Sequence, residues 1–215
     1  MFIVLLQDKS QVSGDNMKIV LTCVRHGEAT HNVKVGYSLR LTPDGSAADT
    51  SLTDRGRHQA EVVGERLAEE QYDLAVTSDL ERARNTALAI LKHHPELKLQ
   101  TWMCVREPRG DTWKIIQSQI QDSFMPRLSQ LAQESDQSEL RMLVVSHSKF
   151  LMDLHHHLAS ISRNKESFPV HTGMVNTAVG QYELVFNKTG GESVLENVVC
   201  YKYNCGKHLH SCDIL

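Results

Sequence analysis

Apolar residues along this chain fall alternately into short runs and helical stripes. Residues 18–24 (KIVLTCV) form a nearly continuous apolar run of strand length, the pattern of a strand buried on both faces. Residues 53–70 then bring Ala60, Val63 and Leu67 at helical spacing behind Thr53, a good N-cap, so an amphipathic helix is expected. The pattern predicts a second strand at 72–77 (YDLAVT) and a second helix at 80–93, ended by Pro95. The same rhythm predicts strands at 97–105 and 141–146 (RMLVVS), a longer helix at 113–133 and another at 149–159. Near the end, TAVGQYELVF and ESVLENVVCYKY flank NKTGG, two strands around a glycine-rich turn that extend the sheet at one edge. Strands alternating with helices imply an α/β fold, a three-layer α/β/α sandwich with a mostly parallel central sheet.

A chain of 215 residues with 40% apolar residues spread along it suits one domain with a substantial core. Because Met17 opens the first strand, residues 1–16 read as a dispensable N-terminal extension, 17–204 as the domain and 205–215 as a C-terminal tail. Residues 33–50 hold three Gly/Pro breakers and several small polar residues, a long loop able to wall a site.

Charge narrows the partners. Twenty-three Lys and Arg against 26 Asp and Glu give a net charge of −3, which removes the bulk electrostatic reason to bind nucleic acid or an anionic membrane. Any anion must meet a local cluster of cations. The five cysteines lack the spacing of a disulfide framework, the first residues lack the basic start of a signal peptide, and no apolar stretch reaches membrane-spanning length. These features point to a reducing, cytoplasmic compartment. The final CDIL resembles a prenylation signal, but Asp213 is not aliphatic and no polybasic run precedes it.

Three segments rich in phosphate-binding side chains follow predicted strands: Arg25 to Glu28, Ser78 to Arg84, and Ser146 to Ser148. In open α/β sheets the carboxyl ends of strands form the ligand crevice, so these segments can converge. Arg25, Arg82, His26 and His147 would then form a cationic pocket for a tetrahedral anion, because guanidinium forks bind phosphate oxygens bidentately. An imidazole can hold a phosphoryl group covalently, and His26, followed by Gly27, is the candidate nucleophile. Hydrolysis also needs a proton donor for the leaving oxygen; Glu107 is the leading candidate, with Asp111 and Glu28 as alternatives. Arg84 reads as a surface cation. The adjacent His155, His156 and His157 point about 100° apart on a helix and cannot chelate one ion, and Cys205, His208, His210 and Cys212 match no common zinc module.

The motifs VRHGEATHN (24–32), SLTDRGRHQA (51–60), TSDLERARNTA (77–87), REPRG (106–110) and VVSHS (144–148) resemble, in order and spacing, the histidine phosphatase superfamily with its phosphoglycerate-mutase-like fold. The resemblance implies His26 as phospho-acceptor, Arg25, Arg82 and His147 as the phosphate pocket, Asn32 as an added phosphate contact and Glu107 as acid and base. It implies no cofactor and no metal. The nearest likeness is to the fructose-2,6-bisphosphatase-like branch, carried by VLTCVRHGEATHN, TSDLERARNT, VVSHSKFLMDLHHHL and NVVCYKYNCGKHL. Ala29 replaces a usual Ser or Thr, Ser148 a usual Gly, and Pro108 follows Glu107 where mutases carry a Tyr-containing stretch. The expected activity is hydrolysis of small phosphomonoesters. A phosphoglycerate mutase and a non-catalytic binding module on the same fold are the competing readings.

Overall fold

The structure is a computed structural model that describes residues 15–33, 49–107, 112–169 and 173–212. Within them a six-stranded sheet runs in the order β3-β2-β4-β1-β5-β6. Its strands are β1 (Asp15–Arg25), β2 (Leu74–Thr77), β3 (Leu99–Thr101), β4 (Glu139–Ser146), β5 (Val179–Thr189) and β6 (Glu192–Cys205). β1 pairs in parallel with β4, β4 with β2 and β2 with β3, while β5 runs antiparallel to both β1 and β6. Five strands therefore point the same way. Positive φ at Gly190 and Gly191 makes the β5–β6 turn, a conformation that costs glycine little.

Side-chain alternation along the strands divides the core in two. Ile19, Leu21, Cys23, Val76, Met142 and Val144 face one side, with Ile116, Ile120, Phe124, Leu128, Phe150 and Leu154 packed on them. Those residues belong to α4 (Thr112–Ser118), the π-helical turn Gln119–Phe124, α5 (Met125–Glu134) and α6 (Ser148–Ile161). On the other side Val24, Ala75, Leu143 and Val145 meet Val63 and Leu67 of α2 (Asp54–Leu67) and Ala83, Ala87 and Ile90 of α3 (Glu81–Leu91). The result is the three-layer α/β/α sandwich expected from the hydrophobic pattern. α1 (Thr30–Val33) is a single turn beside the site.

Two elements depart from expectation. The strand expected over 97–105 is only Leu99–Thr101; beyond it Met103–Val105 form a 3-10 turn that drops Cys104 and Val105 into the interior. An apolar run was available for either use, and burial of Val105 decided it. The helix expected over 113–133 is broken in the middle by the π-helical turn, where the Met125 N–H donates to the Ile120 carbonyl. Pro126 explains this: it offers no N–H and its ring crowds the carbonyl four residues back, which a wider turn relieves.

Secondary structure takes in residues on either side of 17–204. Asp15 and Asn16 belong to β1 and pair with Lys188 and Asn187. Cys205 ends β6, and Lys207–Cys212 form a 3-10 helix whose Leu209 is buried against Val62. Residues 1–14 and the last three residues of CDIL lie outside the described residues, as does 34–48 of the long loop. No helix among the described residues is long and apolar enough to cross a membrane.

Candidate active site

Parallel register brings the carboxyl ends of the strands level: Arg25 lies opposite Ser146, Val145 opposite Thr77, and Thr77 opposite Thr101. The residues that follow each strand therefore emerge side by side. His26 follows β1, Ser78 follows β2, His147 follows β4 and caps α6, and Glu107 follows the 3-10 turn after β3.

The turn at His26 is fixed by its backbone. Its N–H donates to the Ser146 carbonyl (3.0 Å), and its own carbonyl accepts from Asn176 Nδ2 (3.0 Å). Gly27 N–H donates to Thr86 Oγ1 (3.0 Å) on α3. A Cβ on Gly27 would stand 2.4 Å from the Gly56 carbonyl oxygen, and one on Gly56 would stand 1.8 Å from the Glu28 oxygen. Both glycines are thus required for the His26 turn to rest on the first turn of α2. Thr53 caps that turn through the Gly56 N–H, as the sequence predicts, and its hydroxyl donates to Glu28 Oε1 (2.7 Å).

The imidazole of His26 is almost wholly buried, and its Nδ1 lies 2.7 Å from the Gly27 carbonyl oxygen. A carbonyl can only accept, so Nδ1 carries the hydrogen and Nε2 keeps its lone pair. Arg82 Nε donates to that lone pair at 3.3 Å. Burial, then the charges of Arg82 and Arg25, hold His26 well below the ordinary histidine range. The site therefore favours neutral His26, the form in which an imidazole can act as a nucleophile.

Arg82 is fully buried on α3, and its Nη2 donates to Glu107 Oε2 at 3.3 Å. Burial lowers its pKa and Glu107 opposes that shift. His147 is also fully buried, with its ring centroid 5.1 Å from that of His26. The Leu80 N–H donates to Ser78 Oγ (3.3 Å), and the Ser78 hydroxyl is hydrogen-bonded to His147 Nε2 at 2.8 Å. Nδ1 of His147 is buried without a hydrogen-bond partner and lies 3.9 Å from Glu107 Oε2. A buried polar atom without a partner is costly. Arg25 reaches the Met174 carbonyl through Nη1 (2.5 Å), and its charge is felt at His26. Asn32 accepts from the Ala29 N–H (2.9 Å) through Oδ1, which leaves Nδ2 as its donor.

A model of the histidine phosphatase superfamily, branch 1, matches residues 21–136, more than half of the chain. The chain belongs to the histidine phosphatase superfamily. A broad-specificity phosphatase of Saccharomyces cerevisiae is 35% identical over 89 residues, 40% of this chain and 36% of its own length. A glucosyl-3-phosphoglycerate phosphatase of Mycolicibacterium vanbaalenii is 40% identical over 70 residues, covering 33% of this chain and 28% of the relative. The matches thus span about a third of these curated relatives. Over the whole fold, the crystal structure of a phosphoglycerate mutase from Bacillus anthracis superposes with a TM-score of 0.61 at 16% identity, covering 91% of this chain and 97% of that one.

In this member of the histidine phosphatase superfamily the structure clusters His26, His147, Arg82 and Glu107 through direct contacts, with Arg25 beside His26 and Asn32 on α1. Glu28 does not join them: its carboxylate is committed to Thr53 and to Arg55 (3.5 Å). Arg84 is exposed. Asp111 and Pro108 lie outside the described residues. His155 is a core residue, its Nε2 donating to the Pro169 carbonyl (3.2 Å) and its Nδ1 accepting from the Tyr182 hydroxyl (3.0 Å). Among the described residues no three His, Cys, Asp or Glu side chains are grouped to hold a metal ion. Three neighbours escaped the sequence reading: His31, Asn176 and Asp49, whose carboxylate accepts from the Glu81 N–H (2.8 Å) at the start of α3. Ser78 opens a segment read from sequence as phosphate-binding, without a role of its own.

Proposed function

We propose that this chain is a phosphatase that hydrolyses small phosphomonoesters through a phosphohistidine on His26, without a metal ion. The observation that carries the reading is the fixed tautomer of His26: a neutral imidazole with its Nε2 lone pair among Arg82, Arg25 and the unpartnered Nδ1 of His147. The phosphoryl group would lie between the two guanidiniums, which offset the charge on its equatorial oxygens, with Asn32 Nδ2 as a further donor. His26 Nε2 attacks phosphorus in line as the ester P–O bond breaks. Glu107, as general acid, passes a proton to the leaving oxygen. The resulting carboxylate then takes a proton from water, the hydroxide attacks phosphorus, and the P–N bond breaks to free His26.

Hydrolysis is favoured over mutase chemistry because α4 begins only five residues after Glu107, leaving little chain there to enclose a bisphosphorylated intermediate and exclude water. The substrate reading follows the likeness to the fructose-2,6-bisphosphatase-like branch: sugar phosphates, fructose 2,6-bisphosphate among them. Cys23, Cys104, Cys200 and Cys205 are free thiols, in keeping with a cytoplasmic enzyme.

Phosphate release from a panel of fructose 2,6-bisphosphate, phosphoglycerates, glucosyl-3-phosphoglycerate and p-nitrophenyl phosphate, in EDTA, tests the reading. The wild type should hydrolyse members of the panel and His26→Ala none. Transfer between phosphoglycerates exceeding phosphate release would identify a mutase, and activity lost in EDTA would overturn the metal-free mechanism.

A further inference from the structure

His31 has no role in the mechanism above, yet it stands in the pocket wall. Its ring centroid lies 5.7 Å from that of His26. Asn32 Oδ1 is taken by the Ala29 N–H, so Asn32 Nδ2 is the donor in the 3.2 Å contact with His31 Nε2. Nδ1 of His31 then bears the hydrogen and donates to Thr50 Oγ1 at 2.8 Å. The free site thus holds Asn32 Nδ2, the donor that a phosphate would use, against a histidine lone pair.

We propose that His31 is a further, proton-linked phosphate-binding residue of this site: when a phosphate dianion arrives, Asn32 Nδ2 turns from His31 to the anion, and His31 binds a solvent proton at Nε2. As imidazolium it becomes a further donor to a tetrahedral dianion, and it cannot then accept from Asn32. The inference rests on the phosphate-pocket reading. Burial, then Arg82 and Arg25, bring the His31 pKa down to about 4 in the free site. Two negative charges placed between those guanidiniums reverse that effect, because opposite charge nearby favours the protonated form. The other groups around the pocket are His26 and His147, both held neutral, Glu107 paired with Arg82, and Asp49 at the α3 N-terminus. His26 and His147 can also take up protons when an anion binds, so the test compares chains that differ only at His31.

Sulfate is the probe, since it remains a dianion across this pH range. Calorimetric titration at pH 5.5 in buffers of different ionisation enthalpy counts the protons taken up on binding. Wild type should take up about one proton more than His31→Gln, and its affinity should fall about tenfold more steeply per pH unit between pH 5 and 6. Equal proton uptake in the two chains, with both binding sulfate and melting alike, would overturn the role of His31 and leave the pocket intact. Failure of wild type to bind sulfate at any pH would overturn the phosphate pocket and this inference together. His31→Phe, which fills the same place without a titrating group, should behave like His31→Gln.

Discussion

Nδ1 of His26 is committed to the Gly27 carbonyl and Nε2 points at Arg82, so the proposed nucleophile is oriented by hydrogen bonding before any substrate arrives. The same burial that keeps His26 and His147 neutral makes folding depend on pH. Both have folded pKa values below the unfolded value of about 6.5, so below that pH only the unfolded chain takes up these protons. Stability is then fully present above the unfolded pKa and declines as pH falls below it. Each histidine should cost about 2 kcal/mol between pH 6.5 and 5. Urea melts of wild type and His147→Gln at those two pH values check this: the variant's loss should be smaller by about that amount. Glu107→Gln tests the other partner. It keeps the shape and removes the proton, so kcat should fall by about 10²- to 10⁴-fold, with phosphate affinity retained. A small effect would transfer the acid role elsewhere.

At the scale of elements, the site depends on how closely the His26 turn rests on α2. Gly56→Ala places a methyl group against backbone rather than against a side chain able to move, so the two segments must separate. Displacement of a nucleophile by about 1 Å can cost about 10²-fold in rate. Gly56→Ala should therefore lower kcat to that extent as well as the melting temperature, whereas Thr53→Ala should cost only about 1 kcal/mol of stability. Turnover and thermal denaturation of the two variants separate the effects. How much of this was legible in sequence depended on range. Thr53 as cap, the strand–helix rhythm and four of the five motifs depend on local spacing and appear among the described residues, while REPRG is described only at Arg106 and Glu107. The close approach of Gly27 to Gly56 was legible only as a glycine directly after His26. The short β3 and the π-helical turn before Pro126 depend on what each segment packs against. His31, Asn176 and Asp49 join the site through contacts between segments far apart in the chain or through a pocket not yet assembled in one's view of the sequence.

For the whole molecule, one end of the sheet is responsible for the proposed binding: the segments that follow β1, β2 and β4 supply Arg25, His26, Arg82 and His147, and two separate cores hold those strand ends level. Phosphate binding should then stabilise the entire fold. At a hundredfold excess of free phosphate over Kd the gain is about 2.7 kcal/mol, visible as a rise in melting temperature. Arg82→Ala should abolish that rise. It also leaves Glu107 without its buried partner, which costs stability in its own right, so the comparison is the phosphate-induced shift within each protein. The most direct test of the central claim is chemical trapping of the intermediate. After brief mixing with a radiolabelled phosphate ester, the account expects an acid-labile, alkali-stable phosphoryl group on the peptide containing His26, absent from His26→Ala. Turnover with label on a different residue, or full activity in His26→Ala, would contradict it.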